Sequence, residues 1–275
     1  MSPTSPEEPT HAEGRRPIAD LLPWARDLVA EAGAFTQSHF RSSDLAIDTK
    51  GDGTPVTVAD QGAERLMRDA ITAAFPDDAI IGEEYGETVA ASGRQWIIDP
   101  LDGTKAFTKG VPLYSNLLAV LDDGVPVLGI INLPAVGEML WATVGGGAFC
   151  NGEPCRVSSH ATLDGSYAMA SGVTGWAPDG MHRLREQGVL MRTWGDAYGY
   201  ALVATGRAEA MVDPIVSIWD VAPIGVILSE AGGRFTCLNG VERIDGGHGA
   251  GTNGLIHDAL LAELRAQGTP HADSL

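Results

Sequence analysis

The chain has 275 residues, 44% of them apolar and 20% charged, with 36 acidic side chains against 18 basic ones and a formal net charge of −18. That balance belongs to a soluble globular protein with a substantial buried core, and no apolar run approaches the roughly 20 residues that cross a bilayer. Such an acidic surface repels nucleic acid and anionic membranes, so neither is an expected partner.

Residues 1–17 are rich in Ser, Pro, Thr and Glu and lack the apolar stretch of a secretory signal, so a flexible tail and a cytoplasmic protein are expected. Residues 18–38 carry Ile18, Leu21, Leu22, Ala25, Leu28, Val29 and Ala32 at helical spacing. A polar loop at 48–53 follows, and a second helix begins near Thr57, where Thr57 and Asp60 have capping-box spacing. It runs through Ala63, Met67 and Ile71 to the stop at Phe75-Pro76. Short apolar runs at 79–81, 95–98, 115–121, 125–131 and 139–143 read as strands. Asp122-Asp123-Gly124 makes two of them an antiparallel hairpin.

From Tyr167 onward strands and helices alternate: strands at 167–170, 189–192 and 210–212, helices at 179–187, 198–205, 220–231 and 255–266. An antiparallel-rich first half before an alternating second half predicts an α+β lobe at 18–155, an α/β lobe at 156–267 and a frayed tail at 268–275. Cys150, Cys155 and Cys237 match no zinc or redox spacing and read as reduced thiols. The seven histidines are scattered, with none at ligand spacing.

The strongest local signal is Trp96-Ile97-Ile98-Asp99-Pro100-Leu101-Asp102-Gly103-Thr104. A strand ends in two carboxylates three residues apart, and Gly103-Thr104 lead into a helical segment. Such acids suit hard cations with oxygen ligands, and free N–H groups at the helix start suit a phosphate. Read alone, the same residues also suit an Asx turn with a helix cap. Gly82-Glu83-Glu84 after a strand, read alone, is a solvated turn before it is a ligand pair, and Asp220 in Ile218-Trp219-Asp220 a plain helix N-cap.

Taken together with Lys50 and Thr57-Val58-Ala59-Asp60, these motifs resemble, in order, the inositol monophosphatase superfamily of Mg²⁺-dependent phosphatases. The resemblance implies a layered αβαβα sandwich of the inositol monophosphatase/fructose-1,6-bisphosphatase type, a homodimer and two to three Mg²⁺ ions per site. It makes Glu83, Asp99 and the Leu101 carbonyl ligands of a first ion, and Asp99, Asp102 and Asp220 ligands of a second. Glu83 also helps hold a third. Thr104 and Glu83 are implied to activate the attacking water, with Asp60 orienting Thr104. Asp102 and the N–H groups of Gly103 and Thr104 are implied to grip the phosphate, and Lys50 to be a basic group beside the metals. Mutual repulsion of these carboxylates predicts a poorly ordered Glu83 loop without metal.

For the substrate, Gly195-Asp196-Ala197-Tyr198 resembles the histidinol-phosphate phosphatase branch, with Asp213 where the family meets the leaving group. Asp196 also reads as a surface turn aspartate. The expected contacts are Asp196, Ala197, Asp213 and Asp220. Two acids suit a cationic amino alcohol, so L-histidinol phosphate is the expected substrate. The alternatives are inositol-1-phosphate or a sugar phosphate, and a metal-binding scaffold without catalysis; bisphosphates call for a basic cluster that the motifs lack.

Overall fold

Helix α1 (Ile18–His39) buries Leu21, Ala25, Leu28, Val29 and Ala32, the stripe that its spacing predicts. The computed structural model describes residues 16–51, 53–89, 92–176 and 179–265. The expected terminal tails lie outside these residues, apart from Arg16 and Pro17. The expected loop at 48–53 is only partly a loop. Asp48 and Thr49 belong to β1 (Ile47–Thr49), which pairs antiparallel with β2 (Pro55–Thr57). Only the tip is polar and Gly-rich, and that composition masked the flanking strands.

Helix α2 (Val58–Ala74) starts on the predicted capping box: Thr57 Oγ1 accepts the Ala59 N–H, and Asp60 Oδ2 accepts the Thr57 N–H at 2.8 Å. β3 (Ala79–Gly82), β4 (Gly86–Thr88), β5 (Arg94–Asp102) and the short helix α3 (Thr104–Thr108) follow. Then come β6 (Ser115–Asp122), β7 (Val125–Leu133), β8 (Glu138–Thr143), β9 (Gly147–Cys150) and β10 (Glu153–Pro154). Among the described residues these eight strands form one sheet in the order β10-β9-β8-β7-β6-β5-β3-β4, antiparallel except for β3 beside β5.

The later chain supplies β11 (Tyr167–Met169), α4 (Gly180–Glu186), β12 (Leu190–Arg192), α5 (Asp196–Ala204) and β13 (Ala210–Asp213). It closes with α6 (Ile218–Glu230), β14 (Arg234–Thr236), β15 (Gly249–Thr252) and α7 (His257–Arg265). Their strands form a five-stranded mixed sheet, β12-β11-β13-β15-β14. Helix α5 begins at Asp196 rather than Tyr198, and α6 at Ile218, so Asp220 sits one turn inside with Ser217 as the cap. β4, β9, β10, β14 and β15 escaped the sequence because they are short and poor in alternating apolar residues.

Period-two alternation in the large sheet assigns its two faces. Leu118, Val120, Leu128 and Ile130 pack beneath α1 and α2. Leu117, Ile131 and Leu133 face the opposite way, into a core with α5 and α6 that also takes Met169, Met211 and Phe235 of the small sheet. The far face of the small sheet, through Ala168, Ala210 and Val212, meets Leu184 of α4 and Leu260, Leu261 and Leu264 of α7. Helix pair, sheet, helix pair, sheet and helix pair thus stack as the expected αβαβα sandwich. The middle helices carry the ends of both sheets to one cleft.

Candidate active site

Residues i and i+3 of a regular strand point to opposite faces, yet Asp99 and Asp102 of β5 converge. The reason is a bulge: β5 pairs with β6 in register up to Asp99↔Leu117, then slips before Asp102↔Ser115. The motif therefore lies within a strand rather than on a turn beyond it. Pro100, which has no N–H to lose, sits in the slip, and its carbonyl accepts Asn116 Nδ2 at 2.6 Å. The Leu101 N–H donates to Asp99 Oδ1 at 3.0 Å, so the Asx turn is present as well.

Gly103 (φ +80°) starts α3 in the left-handed region. A Cβ there would lie 3.0 Å from the Leu113 carbonyl oxygen and 3.1 Å from Asp196 Oδ2, so no other residue fits without displacement. Thr104 follows, its hydroxyl 2.9 Å from Asp60 Oδ1 and 3.0 Å from the Leu101 carbonyl oxygen. Asp60 is buried, and burial pushes its carboxyl above the usual range.

Asp99, Asp102 and Asp220 bring carboxylate oxygens within 4.8 Å of one another. Each has one oxygen engaged by the protein. Asp99 takes Leu101 N–H. Asp102 Oδ2 takes the Ser115 hydroxyl and the Ala197 N–H, both at 2.7 Å. Asp220 Oδ2 takes the Ser217 N–H at 2.7 Å. All three residues line the cleft. Burial, compounded by Glu83, Asp102 and Asp220, raises Asp99 well above an ordinary carboxyl; burial and Asp196 do the same to Asp102. Asp220 is pushed up to about 8 by burial and Asp102. Clustered carboxylates that resist ionisation together are an oxygen-only donor set, and they fit a hard divalent cation.

Glu83, just past β3, completes the rim. Lys50 holds it at 2.7 Å and its neighbour Glu84 at 2.5 Å. Burial works against the Lys50 ammonium, but the two ion pairs outweigh it and raise its pKa. A cation from the tip of the β1–β2 hairpin is thus paired with both acids of the Glu83 turn.

On the other side of the cleft, Ser171 joins the two expected recognition acids. Its hydroxyl donates to Asp213 Oδ1 at 2.7 Å and accepts the Asp196 N–H at 2.9 Å. Asp196 is half-buried against Gly103, not a surface turn residue, and burial with Asp213 lifts it to about 6. Asp213 is buried and likewise raised. Ala197 contributes its N–H to Asp102, linking the recognition side to the acidic cluster. The cleft holds about 560 Å³ and is lined by Glu83, Asp99, Asp102, Asp196, Asp213 and Asp220.

Glu83, Asp99, Leu101, Asp102, Gly103, Thr104, Asp196, Ala197, Asp213 and Asp220 line one cleft, and Asp60 and Lys50 reach it through Thr104 and Glu83. Ser115 and Ser171 were missed because a serine at a strand end carries no signal of its own; both matter only through a partner that folding brings from 13 or 42 positions away.

The profile of the Inositol monophosphatase family matches residues 18–269, and the chain belongs to that family. Its metal dependence is matched here by the carboxylate cluster. Within the family, the histidinol-phosphatase of Mycobacterium tuberculosis is 41% identical over 256 residues, 90% of this chain and 98% of that protein. The histidinol-phosphatase of Chlorobaculum parvum is 44% identical over 248 residues, 88% and 96% of the two chains. The solved structure of a Thermotoga maritima IMPase superposes with a TM-score of 0.82 at 32% identity, covering 90% of this chain and 97% of that one. No helix among the described residues is long and apolar enough to cross a membrane.

Proposed function

We propose that this chain hydrolyses L-histidinol phosphate to L-histidinol and phosphate, using Mg²⁺. The observation that carries the reading is the Ser171-linked pair Asp196 and Asp213 facing the same cleft as Asp99, Asp102 and Asp220. Chains named histidinol-phosphatase at 41% and 44% identity support it.

Two to three ions would be held by Glu83, Asp99, the Leu101 carbonyl, Asp102 and Asp220. Held by these residues, such ions would supply the charge that neutralises the phosphate dianion, lowers the pKa of water and stabilises the leaving alkoxide. The N–H groups of Gly103 and Thr104, with Asp102 beside them, orient the phosphate. The Thr104 hydroxyl donates to Asp60 Oδ1, which leaves an Oγ lone pair to accept the hydrogen bond of the attacking water; as that water attacks, its proton passes to Oγ while the Thr104 proton passes to Asp60. Glu83, which lines the same cleft, would help align that water. Asp60 fixes the threonine rotamer, and its second oxygen is anchored by the Thr57 N–H and hydroxyl. Asp196 and Asp213, with the Ala197 backbone and Asp220 nearby, take the ammonium and imidazole of the leaving group. A homodimer in the cytoplasm is the setting this reading expects, and sedimentation of the purified protein checks the assembly.

The deciding experiment is phosphate release with Mg²⁺ from histidinol phosphate, inositol-1-phosphate and fructose-1,6-bisphosphate. The highest kcat/KM belongs to histidinol phosphate on this reading; equal or greater turnover of inositol-1-phosphate would overturn it. Release that survives EDTA would overturn the metal requirement.

A further inference from the structure

Glu64 is fully buried in α2, yet it bonds to nothing in the hydrophobic core. Its carboxylate instead reaches the turn that carries Glu83. Oε2 accepts the Glu84 N–H at 2.7 Å, and Oε1 accepts the Tyr85 N–H at 3.0 Å. Oε1 also accepts Arg68 Nε at 2.7 Å, and Arg68 donates onward to the Gly86 carbonyl oxygen. Arg65, on the same helix, donates to the Tyr85 hydroxyl at 2.7 Å. A buried carboxylate is retained only where donors satisfy it, and here two of the three are backbone amides of a single turn.

The spacing explains the reach. Asp60, Glu64 and Arg68 recur every four residues and share one face of α2. Asp60 at the top of that face holds Thr104, and Glu64 one turn below holds the Glu83 turn. A single helix face therefore sets the distance between the two groups that would flank the attacking water. The fit is close: a Cβ on Gly82 would lie 2.3 Å from Glu64 Oε1.

We infer that Glu64 is the positioning residue for Glu83, clamping the 83–85 backbone so that the Glu83 carboxylate stands ready for a divalent cation. This rests on the reading of Glu83 as a metal ligand. Lys50 restrains the side chains of the turn, whereas Glu64 restrains its backbone. Groups that orient a ligand from behind it typically change metal affinity by about 10- to 100-fold when lost, and Glu64→Gln, which keeps the shape but turns an amide NH₂ toward the backbone donors, falls in that range.

The test is Mn²⁺ binding to the substrate-free full chain, followed by electron paramagnetic resonance, with amide hydrogen exchange at 84 and 85 as a second readout. Glu64→Gln is expected to weaken Mn²⁺ binding about tenfold and to speed exchange at both amides. In a Glu83→Gln background the same change is expected to add nothing, because the clamp acts only through that side chain. Additive losses would mark Glu64 as a general stability residue and overturn the inference, as would unchanged binding in folded Glu64→Gln. If Glu64→Gln does not fold, Arg68→Met, at the more exposed end of the clamp, decides by the same two readouts. Mn²⁺ binding that is indifferent to Glu83→Gln itself would instead overturn the ligand reading beneath the inference.

Discussion

The Thr104 hydroxyl stands 2.9 Å from Asp60 Oδ1, so a residue at the start of α3 is oriented by one at the start of α2, 44 positions earlier. The same carboxylate closes the cap of α2 through Thr57. Orientation of the threonine and stability of the helix therefore share one side chain.

On the proposed mechanism Thr104→Ala removes the hydroxyl that relays the water's proton to Asp60 and is expected to lower kcat by about 10²- to 10⁴-fold, while Thr104→Ser keeps most of it. Steady-state phosphate release at saturating substrate checks both, and equal losses for Ala and Ser would contradict the role of the hydroxyl. Asp60→Asn presents an amide to the Thr57 donors. It is expected to lower kcat and also to cost about 0.5–2 kcal/mol of stability through the damaged cap, read as a fall in Tm.

Asp99→Asn is expected to abolish turnover, and yet to raise the Tm of the protein measured in EDTA. Asp99 is buried beside Glu83, Asp102 and Asp220, and its neutral form is favoured by all of them. Replacing it with an amide relieves that repulsion, whereas added metal should stabilise the parent far more than the variant. A lower Tm for the variant in EDTA would show that the cluster stores no such repulsion.

The raised carboxyls fix the sign of the pH dependence. Asp196 and Asp220 move from 3.8 in an ordinary setting to about 6 and about 8. An acid that keeps its proton longer when folded favours the folded chain at low pH, and the advantage is lost as pH rises through the folded value. In EDTA the stability of the protein is therefore expected to fall between about pH 4 and 8. Metal binding should release protons and tighten over the upper part of that window. Calorimetry of Mg²⁺ binding in two buffers of different ionisation enthalpy measures the protons released, and none released at pH 7 would refute the linkage.

Asp213→Ala should damage recognition rather than chemistry, raising KM for histidinol phosphate more than for inositol-1-phosphate. Ser171→Ala, which loosens both Asp213 and Asp196, should shift KM in the same direction by a smaller factor. Uniform losses across both substrates would count against a recognition role for the pair.

Much of the site was legible in sequence because its parts sit where local chemistry is strong. The capping box of Thr57 and Asp60, the Asp99–Thr104 run and the acid near the start of α6 are each short-range patterns. What was not legible depends on pairing. That Asp99 and Asp102 point the same way follows from a slip between β5 and β6, and a slip is a property of two strands. Glu64 carries no signal in the sequence, since its partners at 84 and 85 are backbone amides that any sequence would supply. Lys50 was placed near the metals by resemblance, but its grip on Glu84 as well as Glu83 comes from the β1–β2 hairpin, which the polar composition of its tip concealed.

The cleft draws Glu83, Asp99 and Asp102 from the large sheet, Asp213 from β13 of the small sheet, and Asp196 and Asp220 from the first turns of α5 and α6 between them. The two sets meet at the seam where the Ala197 N–H donates to Asp102, and Asp220 of α6 lies close to Asp102 and Asp213 alike. On the proposed reading, one leaving group can be exchanged for another by rewriting positions around 196 and 213 while Glu83, Asp99 and Asp102 stay untouched. The Ala197 amide is main chain, so the seam itself survives such rewriting.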